Sequence, residues 1–488
     1  MKLKYYFSLS ILLMLNFNLT FAEKQKNKIV TKEQSISIKN IESNVNNINL
    51  DAKEFNLHDI LSIAYLNSNQ FKANIANYKA EMHKGIGEIS SLFLPSINAR
   101  VAFQNGKNDS STTSLSDINL NNSPNNEVYR AAELTINQSI FNFGQDTLRA
   151  KATYNKILAR QADFYIQEQK LINDIINKFI EFQINKELYE ASKVSLENNM
   201  AIYKAEEAKY KLGYTTLSDL KTAESRYYNS VADENQKQML YERSIVDLNF
   251  FTNIKNFKNK KLILNKLPLD KKLNLEKLKE KVLNNNYEII KAKYSLLASK
   301  NDAHSAVTGL LPNISGQLTA QEIDYTLNNQ FSKSLKAGLI INIPIFNGGR
   351  EYAGIRSAKS QAASARYSEF DIKNSQLNNT EILINQFNSL QLQYNSAEFS
   401  YKAAKISSKS AEEKYKLGQS SFIDFVVTQE SEYKRQQELI SIKKSLLTTW
   451  YQILFIQGQL TAAKLKLNAK IFKPNVELKK NSILLIGF

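Results

Sequence analysis

Apolar residues follow two different spacings along this chain, and the spacing changes in the same order twice. Leu158, Tyr165, Ile172 and Phe179 recur every seven residues, with Ala162 and Ile176 between them, and Ala363, Phe370, Leu377 and Ile384 repeat the pattern. A seven-residue period predicts helices supercoiled against neighbours. No Gly or Pro interrupts residues 145–212 or 355–417. At ~1.5 Å rise per residue, such runs make helices on the order of 100 Å long. Elsewhere the period is two. Ile97, Ala99, Val101 and Phe103 alternate with Asn98, Arg100 and Gln104, and Ala132, Leu134 and Ile136 alternate with Glu133, Thr135 and Asn137. Later, Ile314, Leu318 and Ala320 stand against Ser315, Gln317 and Thr319, and Leu335, Ala337, Leu339 and Ile341 against Ser334, Lys336 and Asn342. Each pair of alternating runs predicts a β-hairpin with one apolar face.

The two occurrences are copies of one unit. Lys209-Tyr210-Lys211-Leu212-Gly213 recurs as Lys414-Tyr415-Lys416-Leu417-Gly418, and Asp219 recurs as Asp424. Ile140-Phe141-Asn142-Phe143-Gly144 recurs as Ile345-Phe346-Asn347-Gly348-Gly349, and Leu94-Pro95-Ser96-Ile97 as Leu311-Pro312-Asn313-Ile314. Extra length in the first copy falls in an Asn-, Ser- and Asp-rich loop at residues 105–126. Pro95 and Pro312 stand where helix gives way to strand, and Pro344, Gly348 and Gly349 where strand gives way to helix. Each half reads as helix, strand, polar loop, strand, very long helix, tight turn at Gly213 or Gly418, and returning helix. Four strands are too few to close a barrel, which needs about eight. Open strand edges are excluded from lipid. If the hairpins lie in a membrane, several copies must share one barrel.

Export is the expected context. Lys2 and Lys4 precede an apolar run ending at Leu15, and Thr20-Phe21-Ala22 offers a cleavage site, the layout of a secretory signal peptide. No run of 18 apolar residues follows, so a β-barrel is the expected membrane form. The formal net charge is +17, but Lys is interleaved with Glu and Asp, as on solvated helix faces, so no nucleic-acid partner is expected. With no cysteine, thiolate chemistry and disulfides are excluded.

Little points to catalysis. His58, His83 and His304 are far apart in sequence and lack a metal-ligand spacing, and Gly85-Ile86-Gly87 lacks the strand and third glycine of a dinucleotide site. The carboxylate pairs Glu206-Glu207 and Glu412-Glu413 read as exposed helix faces near Lys. No enzyme activity, cofactor or metal is expected.

With these motifs in place, the chain resembles the TolC family of outer-membrane efflux and secretion channels over roughly residues 55–462. The resemblance rests on Ile343-Pro344-Ile345-Phe346-Asn347-Gly348-Gly349 and on Tyr415-Lys416-Leu417-Gly418 followed by Asp424. In the first copy Ser139 replaces the proline and Phe143 the first glycine. The resemblance implies a mixed α and β membrane protein, a homotrimer whose twelve-stranded barrel sits in outer-membrane lipid and continues into a periplasmic α-helical barrel. It implies a periplasmic adaptor and an inner-membrane ABC or proton-driven transporter as partners, with small toxic molecules or, in type I secretion, polypeptides as cargo. Phe141, Gly144, Pro344, Phe346, Gly348 and Gly349 then form the barrel–helix junction. Leu212, Gly213, Leu417 and Gly418 form the tip turns and are candidates for adaptor contact. Asp424 matches a ring of carboxylates at the constriction, whereas the position of a second ring holds Val427. Asp219 and Tyr415 match a pair that links helices in the closed tip; a basic partner found there in some members is here Ser420. Asp219 and Asp424 also suit plain helix capping.

The expected layout is a signal peptide (1–22), a linker (23–54), repeat one (55–252, hairpin about 96–140, long helix 144–211) and an equatorial linker (253–272). Repeat two (273–462, hairpin about 313–343, long helix 350–416) and a tail (463–488) follow, and the linker and tail would belt the tunnel. The competing reading is a periplasmic coiled-coil adaptor with no pore, which should lack paired period-two strands and a full-length duplication.

Overall fold

The computed structural model describes residues 54–107, 126–253, 261–263, 268–269, 272–325 and 330–481. The expected signal peptide and the tip of the first polar loop lie outside these residues. Elements run β1 (Glu54–Asn56), α1 (Leu57–Asn67), α2 (Asn69–Phe93), β2 (Ser96–Lys107), β3 (Asn126–Phe141), α3 (Gln145–Lys211), α4 (Leu217–Thr252) and β4 (Lys261–Ile263). The second half holds α5 (Leu275–Asn285), α6 (Tyr287–Thr308), β5 (Asn313–Tyr325), β6 (Gln330–Asn342), α7 (Arg350–Lys416), α8 (Phe422–Ile456) and α9 (Pro474–Asn481). Helices α3 and α7 are each 67 residues long and occupy the stretches free of Pro and nearly free of Gly. Among the described residues no helix is long and apolar enough to cross a membrane.

The chain divides into two compact units. One contains the strands β2, β3, β5 and β6, most of α2, the first parts of α3 and α7, and α5, α6 and α9. Its four strands form one antiparallel sheet in the order β2-β3-β5-β6, so the two hairpins lie side by side. A bulge between Ser139 and Phe141 adjusts the register of β3 on β5. Among the described residues β2 and β6 have no strand on their outer sides, so the sheet is not closed within one chain. Below it Met82, Ile86 and Ile89 of α2 are buried with Ile157 and Phe164 of α3. Gly85 lies inside α2, where a Cβ would stand 2.8 Å from Ile157, so the glycine serves close helix packing. Tyr165 stacks on Tyr287 at 4.8 Å, and Lys291 reaches Asp163 at 2.6 Å, tying α6 to α3. The tail helix α9 docks through buried Leu478 and a hydrogen bond from Gln161 to Asn475.

The other unit holds β1, α1, β4, the later parts of α3 and α7, and all of α4 and α8. Ile172, Ile175, Ile176, Phe179 and Phe182 of α3 are fully buried there. Asn185 donates to the Leu240 carbonyl of α4 at 3.2 Å, and Lys443 of α8 meets Glu187 of α3 at 2.6 Å. Phe387 of α7 packs on Trp450 of α8. These contacts tie α3 to α4 and α8, and α7 to α8. The short strands β1 and β4 pair in parallel, so the expected linker is anchored to the start of α1.

The seven-residue stripe is packed differently in the two copies. Ile172 and Phe179 are buried in α3, and Ile384 in α7, but Ala363 and Phe370 are exposed. Among the described residues, that face of the first half of α7 is largely uncovered.

Candidate functional site

The two long helices end in the same way. Gly213 and Gly418 take φ of 77° and 73°. The Gly213 amide bonds the Tyr210 carbonyl and the Tyr214 amide bonds the Lys209 carbonyl; Gly418 and Gln419 repeat this on Tyr415 and Lys414. Both ends are Schellman turns, which require the left-handed conformation that glycine adopts without Cβ strain. The returning helices start on Thr216 and Ser421, whose hydroxyls accept from the amides of Asp219 and Asp424 at 3.1 Å. The same hydroxyls donate to those carboxylates, at 2.9 and 2.7 Å. Asp219 and Asp424 therefore complete the caps and place negative charge in the first helical turn, where the helix dipole favours it. Asp424 and Val427 are exposed, as are Leu212, Tyr214 and Leu417 on the turns.

Behind the turns lies a small core of Ala223, Phe422 and Val426, packed against Ile202, Tyr203 and Tyr415. Tyr415 stacks on Phe425 at 5.3 Å. Its hydroxyl donates to Glu206 at 2.5 Å and accepts from Lys209 at 2.7 Å, and Lys209 also pairs with Glu206 at 3.0 Å. Tyr415 thus links α7 to α3 through Glu206, while the Asp219 carboxylate is taken up by Thr215 and Thr216.

Glu206 corrects the sequence reading. It is not on a solvated face but only 1% exposed. Burial by itself would raise its carboxyl, yet hydrogen bonds from Tyr415, Lys209 and Thr215 and the Lys209 charge outweigh that and hold it below the usual carboxylate range. Burial, and then the bond to Glu206, push the Tyr415 phenol upward. Its neighbour Glu207 keeps the expected surface pairing, with Lys211 at 2.8 Å, and Glu412 does so with Lys416 at 2.6 Å. Spacing was a usable signal for Glu206: Ser192, Asn199 and Glu206 follow at seven-residue steps on the packed side of α3.

Further contacts join α4 to α8 beyond the turns. Arg226 bonds Glu430 at 3.0 Å, and Tyr433 donates to Asp233 at 2.5 Å. Beside them a groove of about 740 Å³ is lined by Asn199, Lys221, Arg226, Glu430 and Tyr433. None of these residues stood out in the sequence.

At the opposite ends of α3 and α7 lies the strand-to-helix junction. Gly348 and Gly349 take φ of 65° and 78°, and Phe143 and Gly144 follow at 51° and 81°. A non-glycine residue therefore occupies a left-handed position in the first copy, with its ring 4.8 Å from Phe141. Ser139, standing where the second copy has Pro344, donates to Asp146 at 2.9 Å, while Asn347 donates to Glu351. Phe346 is exposed beside the sheet. Among the described residues no group of three or more His, Cys, Asp or Glu could hold a metal. His58 instead contacts the Lys466 carbonyl at 2.9 Å.

The family model described as outer membrane efflux protein matches residues 60–253 and 278–459. The chain is 24% identical over 194 residues to the outer membrane efflux protein BepC of Brucella suis, covering 39% of this chain and 42% of that one. It thus spans less than half the length of that curated relative. The fold is similar to the Campylobacter jejuni outer membrane channel CmeC (TM-score 0.72, 16% identity, 88% of this chain and 89% of that one). It is also similar to the Vibrio cholerae outer membrane protein VceC (TM-score 0.70, 15% identity, 82% and 96%). A third similar structure is the Neisseria gonorrhoeae channel MtrE in its open state (TM-score 0.67, 17% identity, 82% and 88%). The matched segments cover both repeats and skip the linker between them, and on that evidence the chain belongs to the outer membrane efflux protein family.

Proposed function

We propose that three copies of this chain form a passive outer-membrane exit duct: a twelve-stranded barrel in lipid continued by a periplasmic tunnel of long helices. The observation that carries the reading is the four-stranded sheet with an apolar face and, among the described residues, no strand beyond either edge. Such edges are excluded from hydrocarbon, and four strands cannot close on themselves. A cyclic assembly pairs β2 of one copy with β6 of the next. The helices support the same arrangement. Leu392, Phe399 and Ile406 line an exposed stripe on α7, and Met239, Val246 and Phe250 another on α4. These two stripes are different faces, which suits a heterologous contact that closes into a ring.

In this assembly the turns at Gly213 and Gly418 form the periplasmic tip. Three Asp424 carboxylates converge there as a cation-favouring constriction, and Val427 leaves that ring single. Tyr415, Glu206 and Lys209 hold α7 against α3 behind it. Leu212, Tyr214 and Leu417 offer apolar contact to a periplasmic adaptor, through which an inner-membrane transporter delivers small toxic molecules for efflux. Family membership and the duplicated hairpins both weigh against the pore-free adaptor reading.

Planar-bilayer recording of the detergent-extracted protein tests this. A steady single-channel current is expected, with block by divalent cations that Asp424→Ala weakens while raising conductance. Unaltered conductance and block in that variant would leave Asp424 a helix cap alone. A water-soluble periplasmic protein without current would remove the duct itself.

A further inference from the structure

Strand register allows the apolar face of the sheet to be read row by row. Starting at the helix end, Phe141, Ile314 and Ile341 share a row, followed by Gln138, Gly316 and Leu339. Next come Ile97, Ile136, Leu318 and Ala337, then Ala99, Leu134, Ala320 and Leu335. There the apolar character stops. The following row is Val101, Ala132, Glu322 and Lys333, and the one beyond it Phe103, Arg130, Asp324 and Phe331. Four charges thus stand on the face that carries the apolar residues, all at the loop end. Lys333 pairs with Glu322 at 3.1 Å, and Arg130 stands opposite Asp324 in register.

Charge on a lipid-facing strand is costly at mid-bilayer and nearly free near the interface. Depth arithmetic agrees with an interfacial place. From Ile341, in the apolar row nearest the helix end of β6, to Phe331, in the outer charged row, the strand covers ~33 Å. Tilted by about 40°, that is ~25 Å of depth, the height of the apolar band of outer-membrane barrels, so the row of Arg130 and Asp324 falls at its far edge, with Glu322 and Lys333 one row inside it.

Resting on the barrel reading above, we propose that these two rows form a headgroup-binding belt at the outer boundary of the membrane. Arg130 and Lys333 bind the anionic phosphates of lipid headgroups there. Glu322, paired with Lys333, and Asp324, opposite Arg130 in register, stand on the adjacent strand. Phe103 and Phe331, both exposed, flank them at the level where aromatic rings anchor a barrel.

The chain has no cysteine, so single substitutions report directly. In intact cells, Phe331→Cys and Asp324→Cys should react with a membrane-impermeant maleimide, whereas Leu335→Cys and Ala320→Cys should not. Protection of all four positions, or equal reaction at 335 and 331, would overturn the boundary. Equal reaction at Leu318→Cys and Ala337→Cys as well would instead refute the barrel. For the headgroup contact, native mass spectrometry of the intact assembly compares retained phosphatidylglycerol with phosphatidylcholine. A preference for phosphatidylglycerol that falls several-fold in Arg130→Gln/Lys333→Gln supports the belt. An equal preference in both proteins, or none in the unaltered one, overturns it.

Discussion

Two buried carboxylates on α3 are pushed in opposite directions by their surroundings. Glu206 receives hydrogen bonds from Tyr415 and Lys209, so its folded-state value is depressed. Its stabilising contribution is therefore present above the ordinary carboxylate value of about 4.3 and is lost as pH falls through the lower folded value. Glu206→Ala leaves the Tyr415 hydroxyl without its acceptor and Lys209 without its carboxylate, and should cost about 1–3 kcal/mol. Faster hydrogen exchange confined to the residues around both turns would report it; unchanged exchange would contradict the role. Glu168 is the opposite case: burial pushes it up to about 8, only partly offset by the Ala462 backbone and Tyr65. The folded state keeps this proton while the unfolded state loses it, so stability should fall between about pH 4.3 and pH 8. Glu168→Gln should flatten that part of the stability–pH curve, and an unchanged slope would count against it. Residue type alone marks neither, and for Glu206 only its seven-residue spacing from Ser192 and Asn199 does. Glu206 sits in a run of Glu and Lys that looks solvated, and its counterpart in the second copy is Ala411, so the duplication does not flag it.

Helices and strands were far more legible, because each rests on a spacing that packing imposes. The period-two runs became β2, β3, β5 and β6, and the uninterrupted runs became α3 and α7. The turn glycines were visible as a repeated motif, and their φ values show why the residue type is needed. At both turns an added Cβ would meet nothing within 4 Å, so strain at positive φ is the whole penalty. Gly418→Ala and Gly213→Ala should each destabilise by about 1 kcal/mol. Comparable shifts in thermal unfolding are expected from the two variants, and a silent Gly418→Ala would contradict the turn geometry. What the pattern left open was which neighbour each stripe meets. Phe370 and Ile384 lie on one seven-residue series, yet only Ile384 is covered by the chain itself. Periodicity identifies an apolar face without saying whether its partner is in the same polypeptide.

For the whole molecule, that missing partner is the central issue. Among the described residues the outer edges of β2 and β6 have no neighbouring strand, and α4 and α7 present exposed apolar stripes. The proposed account assigns all four to contacts with sister copies, so one subunit number must satisfy strands and helices together. Native mass spectrometry of the particle extracted from outer membranes in mild detergent measures that number. The account requires three chains per particle, collapsing to single chains on heating; a particle of one, two or four chains would contradict it.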